Sequence, residues 1–444
     1  MKNYTIPEVS SLEFLKNAAK ILKNPLPFHA ANFKKKGATF RLKLGFGNSI
    51  VFSKDAGFLQ HALQKNKKNY SKSPIQTKDL AKYVGKGLLT SEGALWKKQR
   101  KLIQPAFHKK QLVFLLESIQ EAITAEVSKI TTQGPIDVAP IFNDLAFKTV
   151  VKALFSDAAD ALQISKMQHI TEAAQKMLVK ELRQPYLGWW FKSSGKIKKH
   201  IALVQESREV LGQLVAARKK SNLRKDDLLD MLLDARYEDG SAMSEQQLID
   251  EILILFVAGH ETTSNALTFA AQLLAQHPET QEKIFIEVQE ATASTKDLME
   301  ILKACPFTKN VVEETLRMYP PAYFIDRISL EADTFEGMEV PKNSNLLFSV
   351  LQIHNDALFW EQPELFNPSR FSGVSANTFS GHYFPFGAGP RMCIGNNFAM
   401  YEMVLAIATL VRQYKISEKK TPIEIEPLIT LKPTNALLEF IQRA

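Results

Sequence analysis

Apolar side chains recur at three- and four-residue spacing over residues 12–22 and stop ahead of Pro25 and Pro27, which predicts an opening helix. The pattern then alternates over 38–44, turns at Gly45-Phe46-Gly47-Asn48 and resumes over 49–53, predicting a β-hairpin. From Asp55 to about Met318 helical spacing dominates, with segments at 96–108, 111–131, 140–155, 164–183, 197–220 and 225–236. The longest, 244–276, would measure ~50 Å. Ser244 is placed to cap it, with Gln247 at the capping-box position, and it ends before Pro278. Its apolar run over 249–258 is too continuous for a surface helix, so it should cross the core. Strand patterns return after Pro320 and Pro321. The connector 71–93, rich in glycine, lysine and serine, is expected to lack structure of its own, and long connectors of that kind are commonly functional.

No internal repeat, low-complexity linker, P-loop or complete GxGxxG interrupts this pattern. The expectation is therefore one mainly α unit with a smaller β part (α+β) over all 444 residues. Composition adds three points. Two cysteines, Cys305 and Cys393, cannot build a disulfide framework and suit a reducing compartment. The first ten residues are polar and contain neither a membrane-spanning run nor a signal-peptide core, so a cytoplasmic protein without a transmembrane anchor is expected. The net charge of +9 favours acidic partners, yet the lysines are scattered and no nucleic-acid motif accompanies them, so nucleic acid is not expected as a ligand.

The candidate chemistry lies near the C-terminus, in Phe384-Pro-Phe386-Gly387-Ala-Gly389-Pro390-Arg391-Met-Cys393-Ile-Gly395. A lone cysteine sits there in a glycine-rich loop that leads into an apolar helical pattern, where unpaired helix amides stabilise a thiolate. Gly387, Gly389 and Gly395 let backbone amides turn toward the sulfur, Pro390 stiffens the turn and Arg391 adds a cation. No second cysteine is near enough for a zinc or redox pair. What remains is one axial thiolate on a metal held mostly by other means, a description that haem fits.

Phe386-x-x-Gly389-x-Arg391-x-Cys393-x-Gly395 resembles the cysteine-ligand signature of the cytochrome P450 family of haem-thiolate monooxygenases, matching every diagnostic position. Other segments agree in order and spacing over essentially the whole chain. Ala258-Gly259-His260-Glu261-Thr262-Thr263 resembles the family's oxygen-binding signature, with Glu261 and Thr262 as the implied proton-delivery pair and Ala258 and Gly259 leaving room for a ligand. His260-Glu261 also begins like a zinc-protease HExxH, but Ser264 stands where the second histidine is needed, so that reading fails. Glu314 and Arg317 share a helical face and resemble the family's ExxR motif. Arg370 resembles the downstream arginine that joins that pair in a buried network. Trp96 and Arg100 resemble the WxxxR motif and, with Arg327 and Arg391, give four donors for the haem propionates.

The resemblance implies the cytochrome P450 fold with a long central helix over haem b, Cys393 as the axial thiolate, and oxygen insertion into a C–H bond of a small-molecule substrate. With no reductase domain in the pattern, electrons would come from a ferredoxin and its NAD(P)H-dependent ferredoxin reductase, O2 being the co-substrate of a monomeric enzyme. Lys97, Lys98 and Lys101 offer a basic docking face for such a donor. The implied pocket draws on Tyr83, Val84, Phe256, Tyr323, Phe324, Leu428 and Ile429, which favours a fatty-acyl, terpenoid or aromatic substrate. Gln76, Lys82, Tyr83 and His260 keep open oxidative O-demethylation of a small polar methyl ether such as a methylated sugar. A haem-binding sensor or a peroxide-driven haem enzyme is the alternative class. The aromatic-basic segment 186–199 is read as lid packing in preference to a membrane contact.

Overall fold

The computed structural model describes residues 5–45, 47–184, 187–221, 223–374, 378–417 and 422–443; Phe46 of the expected turn and Tyr186 of the aromatic-basic segment lie outside them. The chain separates into two compact units, one of Met1–Ser73, Glu313–Cys393 and Ile425–Lys432, the other of Pro74–Val312, Ile394–Glu424 and Pro433–Ala444.

The first unit is built on a six-stranded sheet in the order Glu8–Val9, Thr39–Gly45, Asn48–Ser53, Asn345–Ser349, Phe324–Ser329 and Tyr70–Ser71. The alternation read from the sequence sets its register: Phe40 pairs with Phe52 across the antiparallel hairpin, and Phe52 pairs with Leu347 in the parallel strand beyond. Phe40 and Phe52 stack at 5.3 Å, and His29 lies 4.5 Å from Phe52. Buried among these rings, His29 is pushed down to about 4, so it is neutral. The opening helix, Ser11–Lys23, starts where Ser10 accepts the Glu13 amide.

The second unit is helical. Its central helix, Glu245–Gln276, has most of its side chains buried and packs along Ala139–Phe155 and Asn396–Gln413. Phe256 stacks on Phe147 at 5.5 Å, and Gly259 permits the close approach, since a Cβ there would stand 3.0 Å from Val150 Cγ2. Ser244 caps the helix as expected, accepting the Gln247 amide at 3.2 Å. The capping box is not completed: the Gln247 side chain donates instead to Lys86 O at 2.7 Å and Glu251 Oε1 at 3.0 Å.

Two further expectations are corrected. The connector contains a wide turn, Ile75–Leu80, and a short helix, Ala81–Val84. Burial of Tyr83 and Val84 stabilises that helix, which the local composition does not predict. The 225–236 segment forms a helix only over Leu228–Asp234, because Asp227 and Asp230 are drawn to the buried Arg218, each accepting from it at 2.8 Å. In the segment read as lid packing, among the described residues, Phe191 is buried in a cluster with Tyr83 and Ile254 and Leu187 and Ile197 pack against it, whereas Trp189 and Trp190 are 68% and 45% exposed.

Candidate active site

The central helix is open along one stretch of its middle. Ala258 is exposed and Glu261 and Thr262 are half-buried, while Phe256, His260 and Thr263 on the other faces are buried. Thr262 Oγ1 donates to Ala258 O at 2.8 Å, which fixes the hydroxyl and leaves its oxygen to accept a proton donor from the open side. Glu261 Oε2 accepts from Gln175 Nε2 at 2.9 Å, so a residue of Ala161–Arg183 orients the acid. His260 is turned away: it is 1% exposed, Nδ1 lies 2.6 Å from Phe256 O and burial pushes its pKa down. The two small residues divide their work, Ala258 lying on the open stretch and Gly259 facing Val150.

In the sheet unit the cysteine loop is held by backbone geometry. Cys393 N–H donates to Phe386 O at 2.9 Å and closes the loop over the short turn Gly389–Arg391. Gly387 and Gly389 have φ of +73° and +68°, and a Cβ on Gly389 would stand 2.0 Å from Leu63 O, so this position admits only glycine. Cys393 is exposed at the end of that loop. Cys305 is buried, and burial followed by the charge of Glu287 pushes its thiol up to about 12, so it is no thiolate at neutral pH.

Behind the loop lies a buried charge network. Arg317 donates to both oxygens of Glu314 at 2.7 and 3.0 Å, to His354 O at 2.8 Å and to Pro363 O at 2.8 Å. Arg370 Nε and the Asn367 amide donate to Glu314 Oε1 at 3.2 and 3.0 Å. Glu314 and Arg317 are fully buried. His354 carries the network to the loop, since its Nε2 accepts the Phe384 amide at 2.7 Å. Burial first and Arg317 second push His354 down to about 3, which keeps the ring a neutral acceptor. Sequence reading found the Glu and both Arg but not His354, whose role depends on a tertiary approach.

Trp96 and Arg100 lie one turn apart on Gly93–Ile103, where Arg100 Nε also donates to Gln104 Oε1 at 3.1 Å. Gly395 caps Asn396–Gln413. Arg327 is buried in Phe324–Ser329 opposite Leu346, and Arg391 belongs to the loop turn. Of the lysines on the Trp96 helix, Lys101 pairs with Glu238 and Lys98 sits 3.7 Å from the Tyr237 ring centre.

The expected pocket residues are divided between the two compact units. Phe256 is buried and stacked on Phe147. Tyr323 is buried and donates its hydroxyl to Leu428 O at 2.7 Å, while Phe324 is half-buried and Ile429 is 40% exposed. Tyr83 and Val84 belong to an apolar cluster with Ile254, Met177 and Phe191. The Tyr83 hydroxyl is spent on Glu181 Oε2 at 2.7 Å, and Lys82 binds the same carboxylate at 2.8 Å. Glu181 carried no sequence signal linking it to residues a hundred positions away.

A glycine-rich cysteine loop together with an acid–alcohol stretch on the longest helix marks an oxygen-activating haem-thiolate class. The family profile described as Cytochrome P450 matches residues 7–440, and the chain belongs to the cytochrome P450 family. It is 28% identical over 429 residues to Protein LUTEIN DEFICIENT 5, chloroplastic, of Arabidopsis thaliana, covering 90% of this chain and 71% of that one. It is 27% identical over 337 residues to Cyclooctat-9-en-7-ol 5-monooxygenase of Streptomyces melanosporofaciens, covering 75% and 73%. The crystal structure of the cytochrome P450DA heme domain superposes with a TM-score of 0.86 at 20% identity, covering 99% of this chain and 98% of that one, which establishes the fold.

The protein is thus a P450 monooxygenase whose cofactor is haem with a cysteine thiolate ligand. The residues present fit that group: the exposed cysteine of the two is the one in the glycine loop, and the exposed stretch of the buried central helix carries only the small Ala258 beside an acid and an alcohol. Among the described residues no helix is long and apolar enough to cross a membrane.

Proposed function

We propose that the chain hydroxylates an apolar substrate of fatty-acyl or terpenoid size, with electrons from separate redox proteins, and that both compact units form one catalytic domain. Haem bound through Cys393 supplies dioxygen activation. Trp96, Arg100, Arg327 and Arg391 hold its propionates, and the Glu314–Arg317–Arg370 network with His354 fixes the loop that carries the thiolate. Thr262 Oγ1 holds a proton near the open stretch of the helix, and Glu261, oriented by Gln175, replenishes it.

One observation carries the substrate class. Of the four polar groups that would suit a small sugar ether, Tyr83 and Lys82 are bound to Glu181 and His260 is buried against Phe256 O. What these elements then offer a ligand is mostly hydrocarbon, including Val84, Val257 and Leu89 of one cluster. A relative whose name gives an unsaturated alcohol, cyclooctat-9-en-7-ol, as substrate points the same way. A spin-state titration of the purified holoenzyme against fatty acids, terpenoids and methylated sugars tests the reading. Saturable high-spin conversion by the apolar members is expected, and conversion by methylated sugars alone would overturn it. Lys98 and Lys101 are engaged by the 237–239 turn, so a redox-partner face built on that helix relies chiefly on Lys97.

A further inference from the structure

Two consecutive carboxyl groups on the central helix, Asp250 and Glu251, are 7% and 0% exposed, and both are turned to the connector. Asp250 Oδ2 accepts the Lys86 amide at 2.8 Å and Glu251 Oε2 accepts the Leu88 amide at 3.0 Å. The connector's alternate amides are thus bound by adjacent acids, an arrangement that resembles backbone nests around anions. Glycine is required at both flanking positions. A Cβ on Gly85, whose φ is +82°, would stand 2.3 Å from Asp250 Oδ1, and one on Gly87 would stand 2.5 Å from Glu251 Oε2. The loop braces itself around this contact: Thr90 Oγ1 donates to Gly85 O at 2.7 Å and Ser91 Oγ to Gly87 O at 2.6 Å. The Gln247 amide group, diverted from the helix cap, bridges Lys86 O and Glu251 Oε1.

The two acids are not equivalent. Asp250 faces a cation, Arg208 of Lys196–Ser221, and also accepts from Gln246. Among the described residues Glu251 has the neutral donors Leu88 N and Gln247 Nε2. The charged or titratable groups around the pair are Asp250 itself, Arg208, the exposed Lys86 on the connector, and Tyr237, which accepts from Gln99 at 2.9 Å and feels the Glu251 charge. Among the described residues no hydrogen-bonded cation offsets Glu251.

We infer that Asp250 and Glu251 are positioning residues that latch the connector to the central helix, Asp250 as a charge-paired anchor and Glu251 as a proton-dependent one, so that the connector opens as pH rises. The direction follows from linkage. Burial pushes Glu251 up to about 7, whereas a solvated carboxyl titrates near the ordinary value of 4.5. The docked connector therefore binds more protons than the undocked one between those values, and docking weakens as pH rises through that window and is flat above it. The gap of about 2.5 pH units between these values corresponds to roughly a 300-fold change in the docking equilibrium over the whole window, most of it between pH 5 and 8. The role of this latch in ligand entry rests on the reading of the connector as a substrate-side wall.

Hydrogen–deuterium exchange of the 85–91 segment in the holoenzyme, corrected for intrinsic rates, tests the latch directly. Between pH 5 and 8 the wild type is expected to lose roughly ten- to hundredfold protection there, while E251Q keeps near-constant protection. D250N should lower protection at every pH without changing the slope, and G87A should do the same by steric exclusion. A wild-type slope retained in E251Q, or unchanged protection in both D250N and G87A, would overturn the latch. Stopped-flow binding of lauric acid separates the two readings. A binding rate that rises with pH in the wild type and not in E251Q supports both. A rate indifferent to pH while the exchange slope follows the expectation leaves the latch standing and removes the connector from the substrate path.

Discussion

Arg317→Ala is the most demanding perturbation of the sheet unit. The guanidinium is fully buried and satisfies Glu314 twice together with three backbone carbonyls, so its loss leaves a carboxylate at 0% exposure facing, among the described residues, Arg370 and the Asn367 amide. Breaking a buried pair from one side costs about 3–5 kcal/mol, mostly the penalty of the stranded partner. With an m value of about 3 kcal/mol/M the urea midpoint should fall by roughly 1 to 1.7 M. Trp360 is a built-in reporter, because the Arg317 guanidinium carbon lies 5.3 Å from its ring centre. Removing both charges in Glu314→Gln/Arg317→Met should cost about 2 kcal/mol less than the sum of the single changes. Strictly additive single changes, or a loss below about 1 kcal/mol for Arg317→Ala, would refute the network as the brace of the cysteine loop.

Further outcomes are expected elsewhere. Gly389→Ala should prevent normal haem incorporation, since its Cβ would meet the Leu63 carbonyl; a variant that loads haem like the wild type contradicts the loop packing. Acid should destabilise the sheet unit through His354: the unfolded ring takes up a proton near 6.5 and the folded ring only at about 3, so stability present above 6.5 is lost progressively down to 3. His29, at about 4, adds to the same window, and urea midpoints that rise on acidification would contradict both. Thr262→Ala should leave the helix intact and lower product formed per reductant consumed by about tenfold; an unchanged ratio removes its hydroxyl from proton delivery.

The hairpin, the central helix and its Ser244 cap were legible because each is fixed by local spacing, and the structure places them where that spacing put them. The Glu314–Arg317 pair was legible for the same reason, three residues apart on one helix. What sequence reading missed are contacts made across long separations: His354 to Phe384, Tyr83 to Glu181, Gln247 to Lys86 and Gln175 to Glu261. Phe256 shows a complementary limit. Its place in an apolar run was correct, but only the packing of Ala139–Phe155 decides that it faces Phe147. Composition likewise failed at Ala81–Val84, where burial of two side chains outweighs a glycine- and lysine-rich neighbourhood.

The central claim is that Cys393 supplies the thiolate, and the carbonyl adduct of the reduced holoenzyme tests it most directly. The wild type and Cys305→Ala should both show the red-shifted Soret band of thiolate ligation, and Cys393→His should show the band of imidazole ligation or fail to retain haem. A thiolate-type band that survives in Cys393→His, or vanishes in Cys305→Ala, would contradict the assignment.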